Sequence, residues 1–510
     1  MKTKNKISVS FLIVVFGILF TACSDQFFDV NENPNNPSVS SPKMTLPAAQ
    51  EFFASLNGTT MTYMGNMFVY NWAKPSNWSA NADYYRYNIT NTFNATIFET
   101  SYIDIVKNLN FVENYEDPTG EVDYSAYKVI TAVLKGFQYQ LLVDIYGDVP
   151  YTQAGLRDEF PTPVYDDAET IYKDVIAKLT EAAIQADNIS DAAENPGSAD
   201  IFFGGDMEKW AQFANTIKLR MLVRLSNTGQ YAYINEEIAK INANGHGFIT
   251  EDVSSNPGYS NDLEARQSPF YGYFLKTDGE EEDRKDFTVA SDYTIDYLTN
   301  TNDPRLAYLY ESAVNDHNEN EIEDDFKGVY QAVDLPGSGF TSNDLSKVGP
   351  GLLKAPDQDQ VIMSLAEALF IQAEAVQNPD INLAGNAQAL YEEAITSHFE
   401  YLGVEDASVA ATAYFSQNID NVGWVASTNK IEAIITQKWI ALNGISSIES
   451  WIDLTRTGYP EGLPIPVDAQ NSGLTRPVRL LYPQSELSRN ANNVPGQQAS
   501  DVFNNAPFWK

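Results

Sequence analysis

Val361-Ile362-Met363-Ser364-Leu365-Ala366-Glu367-Ala368-Leu369-Phe370-Ile371-Gln372-Ala373-Glu374-Ala375-Val376 decides the fold class of this chain. Val361, Ile362, Leu365, Ala366, Leu369, Phe370 and Ala373 recur every three or four residues, so they share one helix face. A turn at Asn378-Pro379-Asp380 ends the run, and Asn386 to Phe399 resumes the spacing. Toward the N-terminus, residues 125–145 show it again through Val129, Ala132, Val133, Gly136, Phe137, Gln140 and Leu141. That helix is expected to stop at Tyr146-Gly147-Asp148-Val149-Pro150, a glycine cap with proline beyond it. Residues 166–184 place their acids first, which suits the helix dipole. Residues 207–226 carry a stripe of Trp210, Phe213, Ala214, Ile217, Met221 and Leu225. Residues 429–443 and 446–455 give a further helix pair.

Leu390-Tyr391-Glu392-Glu393-Ala394-Ile395 resembles the second helix of a tetratricopeptide repeat, where alanine permits close helix crossing and a tyrosine acts as wedge. The expected fold is all-α dominated: four degenerate tetratricopeptide-like helix pairs, at about residues 124–245 and 361–456, with long loop insertions and a few short strands. Lys327-Gly328-Val329-Tyr330 and Val478-Arg479-Leu480-Leu481-Tyr482 are the strand candidates. Residues 57–95 and 246–360 are rich in Asn, Asp, Ser, Gly and Pro and read as the ligand-facing loops, since loops this long are usually functional.

The N-terminus is a secretory leader. Lys2, Lys4 and Lys6 precede an apolar run, Phe11 to Phe20, too short to span a bilayer comfortably. Phe20-Thr21-Ala22-Cys23 resembles a bacterial lipobox, so residues 1–22 are expected to be removed and Cys23 to carry a lipid. A plain cleavage site would instead leave Cys23, the single cysteine, as a free thiol in an oxidising compartment. The 510-residue chain has 69 acidic against 32 basic residues, a net charge of −37, and losing the leader removes three lysines more. Such a charge repels nucleic-acid phosphates and anionic lipid headgroups, which excludes both as partners. Any membrane attachment must then come from lipid and protein contacts. No Ser/Gly tract, Pro-rich rod or charge block marks a linker, so residues 23–510 read as one domain.

Catalytic motifs are scarce. His246, His317 and His398 lie far apart in sequence, so no zinc site or His-based nucleophile can be assembled. His398 reads as a surface residue. Asp316-His317-Asn318-Glu319-Asn320 begins like a calcium loop, but Glu321 and Lys327 stand where Gly and a bidentate Glu are needed. No cofactor, metal or catalytic residue is expected. Among so many carboxylates no pair is singled out for glycoside hydrolysis. Aromatic loops carry more. Trp72, Trp78, Tyr84 and Tyr85 share an Asn-rich stretch, and Tyr271 and Tyr273 form a second cluster. Flat rings beside amides suit sugars, the rings covering the CH face and the amides meeting hydroxyls. These six are the expected ligand-binding residues. The competing reading is that they pin long loops onto the helices.

Several motifs, taken together, resemble the SusD/RagB-type outer-membrane nutrient-binding lipoproteins of the Bacteroidetes. They are Cys23-Ser24-Asp25, Asp29-Val30-Asn31-Glu32-Asn33-Pro34-Asn35, Tyr146 to Tyr151, Asp303-Pro304-Arg305-Leu306, Met363 to Ala375, Gln437 to Leu442, Trp451 to Gly458 and Arg479 to Pro483. The resemblance implies a non-catalytic surface lipoprotein that binds an oligosaccharide. It would act as a lid for its partner, a SusC-like TonB-dependent transporter in the outer membrane. A peptide ligand, a purely structural lid and an α-helical glycosidase are the alternatives. Trp439 and Trp451 are expected in the core, Arg456 in a buried ion pair, and Asp303-Pro304-Arg305 at a helix-start turn.

Overall fold

A computed structural model describes residues 40–74, 82–313, 326–333 and 342–510. Cys23, Trp78, His317 and the calcium-like run lie outside the described residues. Helix α1 (Pro42–Leu56) passes through a π-helical segment, Asn57–Met61, into α2 (Thr62–Phe68), followed by strand β1 (Trp72–Ala73). Then come α3 (Ser125–Tyr146), α4 (Ala168–Ala186), α5 (Met207–Arg224) and α6 (Tyr231–Asn244). The middle of the chain carries β2 (Val253–Ser255), α7 (Pro269–Phe274), α8 (Asp283–Asp286), β3 (Val289–Ala290) and β4 (Gln360–Met363). Helices α9 (Leu365–Gln377), α10 (Ala387–Leu402), α11 (Lys430–Ala441) and α12 (Ser447–Thr457) complete the repeats.

The helix pairs are α3/α4, α5/α6, α9/α10 and α11/α12, so the fold is helical and repeat-like. The α5–α9 contact joins the two halves, and α2 packs across α12. Side-chain caps fix the helix starts. Asp167 accepts from Thr170 N–H (2.9 Å), Ser364 from Glu367 N–H (3.1 Å), Asn386 from Ala389 N–H (3.1 Å) and Asn429 from Glu432 N–H (3.2 Å). Each such cap is worth about 1 kcal/mol. Gly147 ends α3 at φ 83°, a value that excludes most side chains. A continuous buried apolar cluster runs from Leu46 to Trp509. Trp439 and Trp451 sit in it, their indoles donating to Val69 O (3.0 Å) and Pro477 O (2.8 Å). Arg456 is buried against Glu374 (2.6 Å) and Asp453 (3.0 Å).

Four expectations are corrected. Residues 57–68 are helical and buried, not loop. Their polar side chains bond back to the helix itself, Asn57 Nδ2 to Phe53 O (2.8 Å), Thr59 Oγ1 to Ser55 O (2.6 Å) and Asn66 Nδ2 to Thr62 O (2.9 Å). Val361 and Ile362 belong to β4, paired antiparallel to β2 with Val253 opposite Met363, and the helix starts only after the Ser364 cap. Residues 327–330 and 478–482 are not hairpin strands. Val329 makes one bridge to Ser291, while Val478 and Leu480 donate to Val502 O (2.8 Å) and Ile145 O (2.9 Å).

The fourth correction is His398, which is fully buried. Arg305, paired with Asp303 (2.6 Å) and donating to Gln437 Oε1 (2.6 Å), also points Nη1 at His398 Nδ1 (3.1 Å). A guanidinium only donates, so Nδ1 accepts and the imidazole is neutral. Burial first, then Arg305 and Lys354, hold its pKa well below the usual 6.5. The unfolded chain therefore binds a proton here below pH 6.5 that the folded chain refuses. Stability from this site falls as pH drops through 6.5, by up to about 1.4 kcal/mol per pH unit. Denaturant titrations at pH 7.5, 6.5 and 5.5 are expected to show a steeper loss in the wild-type chain than in His398→Gln. Parallel slopes refute the assignment.

Candidate functional site

Tyr63, on α2, is the hub of an aromatic cluster that unites the two loop clusters read from the sequence. Its ring centroid lies 5.7 Å from Trp72, 5.6 Å from Tyr84 and 5.9 Å from Tyr273. Trp72 meets Phe274 edge-on at 5.5 Å, and Tyr84 meets Phe93 at 5.0 Å. Edge-to-face contacts of this kind add about 0.5–1.5 kcal/mol each beyond burial. Trp72 has no exposed surface, because β1 pairs with β3 (Trp72 opposite Ala290, Ala73 opposite Val289) and draws the indole inward. Tyr84, Tyr85 and Tyr271 are buried as well. These four rings are pins in this structure and offer no free face to a ligand, against the expectation. Of the five expected residues that are described, Tyr273 alone is partly open. The Arg284 guanidinium lies over it, 3.5 Å from the centroid. Trp78 lies outside the described residues.

Around Tyr273 the rim is ionic. Lys285 Nζ reaches Glu311 (2.7 Å) and Glu281 (3.4 Å), and Lys347 Nζ reaches Glu281 (2.6 Å) and Asp286 (2.7 Å). Ser342 Oγ donates to Asp286 (2.7 Å). Burial raises the Asp286 carboxyl, but Lys347 and Ser342 outweigh it and leave its pKa below the usual value. Lys74 sits over Phe287 at 4.9 Å, and burial lowers its pKa to about 8. Backbone bonds tie these segments together, Ala332 N–H to Lys74 O (2.9 Å) and Ala290 N–H to Ser346 O (2.8 Å). Among the rim acids, Asp286 is held ionised by Lys347, and Glu281 and Glu311 each pair with a lysine. A glycosidase acid needs the opposite, a carboxyl kept protonated by an apolar wall. The arrangement suits binding: an aromatic face that a sugar ring can cover once Arg284 swings aside, rimmed by donors and acceptors.

A cleft of about 540 Å³ is lined by Tyr87 and Asn91, from the loop 57–95 read as ligand-facing, and by Leu481, Val494, Gln497 and Phe503, which the sequence reading did not connect with it. Its amides are engaged in the fold. Asn91 Nδ2 donates to Tyr482 O (2.7 Å), and Gln497 both accepts from Tyr482 N–H (2.8 Å) and donates to its carbonyl (3.1 Å). The Asn-rich run 88–94 is the signal that marks this cleft in the sequence.

Residues 34–483 match the model of a SusD-like family described as "Starch-binding associating with outer membrane". Among solved structures, a chitin-binding protein superposes with a TM-score of 0.70 at 25% identity, covering 91% of this chain and 98% of its own. A chitin-binding SusD homolog from Flavobacterium johnsoniae gives 0.71 at 21% identity, covering 88% and 94%. A SusD/RagB family protein from Bacteroides thetaiotaomicron VPI-5482 gives 0.70 at 18%, covering 92% and 99%. No curated protein matches. A family match over most of the chain, on a helical fold shared with these structures, is a consistent answer at both levels: this chain belongs to the SusD-like family of outer-membrane-associated binding proteins.

Proposed function

We propose that this protein captures an oligosaccharide at the outer membrane and delivers it, as a lid, to a SusC-like TonB-dependent transporter. The observation that carries the reading is the partly open Tyr273 ring under Arg284, backed by the cluster of Tyr63, Trp72 and Tyr84. A ring fixed from behind pays little ordering entropy when a sugar stacks on it. Two solved relatives of the same fold are chitin-binding, so N-acetylglucosamine oligomers are the first ligands to test. Cys23, through its lipid, holds the protein to the membrane in this reading, and residues 23–510 act as one domain at the cell surface. No catalytic step is needed, and the family is one of carbohydrate-binding proteins rather than enzymes.

Calorimetric titration with chito- and malto-oligosaccharides tests the proposal. Tyr273→Ala is expected to weaken binding about tenfold, the equivalent of about 1.4 kcal/mol of stacking. Trp72→Ala is expected to lower stability first, since its ring is interior. Absence of saturable heat with any glycan would remove the oligosaccharide reading. Binding that Tyr273→Ala leaves intact would move the site elsewhere, with the Tyr87–Phe503 cleft next in line.

A further inference from the structure

We infer that His246, Asp187 and Glu208 form a divalent-cation site that pins three helix ends together. Asp187 directly follows α4, Glu208 lies in the first turn of α5, and His246 follows the Gly245 cap of α6. One ligand atom from each comes within 4.8 Å of the others.

The imidazole geometry is what points to a metal. The His246 side chain is only 5% exposed, although its two acidic neighbours are open to solvent. Its Nδ1 pairs with Glu208 Oε2 at 2.8 Å. A carboxylate on one ring nitrogen fixes the tautomer and leaves the lone pair on the other, the usual outer support of a metal-bound histidine. The other nitrogen, Nε2, is buried and has no hydrogen-bond partner. Asp187 Oδ2 nevertheless lies 3.2 Å away, off the axis along which that nitrogen would donate. Two ligands on one tetrahedral zinc, each at about 2.0–2.1 Å, are separated by roughly 3.3 Å. The Asp187–His246 spacing therefore fits two ligands flanking an ion better than a donor and an acceptor. One imidazole with carboxylate oxygens suits zinc among common divalent ions, with water completing the shell. In this arrangement His246 Nε2 and Asp187 are the direct ligands, and Glu208 holds the imidazole from its Nδ1 side.

A cation here would tie α4 of the first repeat pair to α5 and α6 of the second. It would also neutralise two carboxylates in a chain with a large acid excess.

Zinc chloride titrated calorimetrically into the Cys23→Ser chain, so that no thiol competes, is expected to show one saturable site. His246→Ala should weaken it at least 100-fold, and Glu208→Gln about tenfold. Asp187→Asn, at an exposed position that does not endanger folding, should weaken it at least tenfold. Zinc should also raise the thermal midpoint of the parent but not of the Asp187→Asn chain. Two results overturn the inference: no saturable zinc site, or a site whose affinity is unchanged by Asp187→Asn. Either would leave His246 as a buried ring held between two carboxylates, with no ion.

Discussion

Arg224→Met is expected to cost the fold about 3–5 kcal/mol, measured as a drop in the denaturant midpoint at pH 7.5. Arg224 is 1% exposed, on α5, and its two terminal nitrogens bridge Asp144 on α3 and Glu449 on α12. Beside it Arg220 pairs with Glu367 on α9 (2.9 Å) and reaches Glu449 (3.4 Å). Asp144 also accepts from Tyr172 O–H (2.8 Å) and from the Trp509 indole (2.7 Å). One buried network thus cross-links all four helix pairs. Its carboxylates outnumber its cations: Asp144, Glu367 and Glu449 face Arg220 and Arg224. That excess, together with burial, which is the largest cause, holds the Asp144 and Glu367 carboxyls above their usual pKa. Removing Arg224 leaves Asp144 and Glu449 buried without their shared cation, which is the costly case. Methionine keeps the volume, so the loss is electrostatic.

The pH dependence supplies the check. In Arg224→Met the folded state takes up a proton at a pH where the unfolded chain does not, because the Asp144 carboxyl, already raised, is pushed further up and Glu449 loses one of the cations that hold it down. Folded-state proton uptake stabilises as pH falls, so the deficit against wild type is expected to shrink from pH 8 to pH 5. A deficit that is constant with pH would assign the loss to packing. Glu449→Gln, which removes one of the excess charges, is expected to lose less than Arg224→Met. Breaking the half-exposed Lys173–Glu169 pair should change stability by less than about 0.5 kcal/mol.

How much of this was legible in the sequence divides along physical lines. Helices with their own caps and stripes were readable, since periodicity and capping are local. The sequence reading of 207–226 and 386–399 agrees with α5 and α10 to within a turn. What failed was non-local. Strand β4 looked like the start of a helix because Val361 and Ile362 fit either period, and its partner β2 lies over a hundred residues away. Segment 57–68 looked like a loop because Asn57, Thr62 and Asn66 are polar. Their partners are helix carbonyls and a distant turn: Thr62 Oγ1 donates to Ile445 O (2.8 Å), and Asn66 Oδ1 accepts from Ser447 Oγ (2.7 Å). The aromatic clusters were read as two separate features, because Tyr63, the ring that joins them, sits in that misread helix. That Trp72 faces inward is set by the β1–β3 pairing, and two-residue strands leave no periodic trace. The cation-site residues come from three helix ends, so no spacing rule connects them.

Gly65 concentrates the dependence of the site on distant packing, and Gly65→Ala is expected to cost about 3 kcal/mol. By helix propensity alone alanine should stabilise a helix interior by about 1 kcal/mol. The environment reverses the sign. A Cβ at Gly65 would stand 2.2 Å from the Ser447 carbonyl carbon and 2.3 Å from Ile448 N. These are backbone atoms at the start of α12, so no rotamer change relieves the clash and the two helices must part. Parting them strains the Thr62–Ile445 and Asn66–Ser447 bonds and the Trp439 indole bond to Val69 O. Gly496→Ala, at a non-helical position with open space around its Cβ, is expected to change stability by less than about 0.5 kcal/mol. The functional consequence follows from chain position. Tyr63 lies two residues before Gly65 and supports Trp72, Tyr84 and Tyr273 from behind. A shift of α2 large enough to clear Ser447 moves that hub, so the Tyr273 face loses its backing. Gly65→Ala is therefore expected to weaken oligosaccharide binding as well as stability, while Arg224→Met, which acts at the repeat core, lowers stability and leaves the affinity of the remaining folded protein unchanged. Titration of both variants under conditions where each is folded separates the two: equal affinities would show that the Tyr273 face does not depend on the α2–α12 crossing.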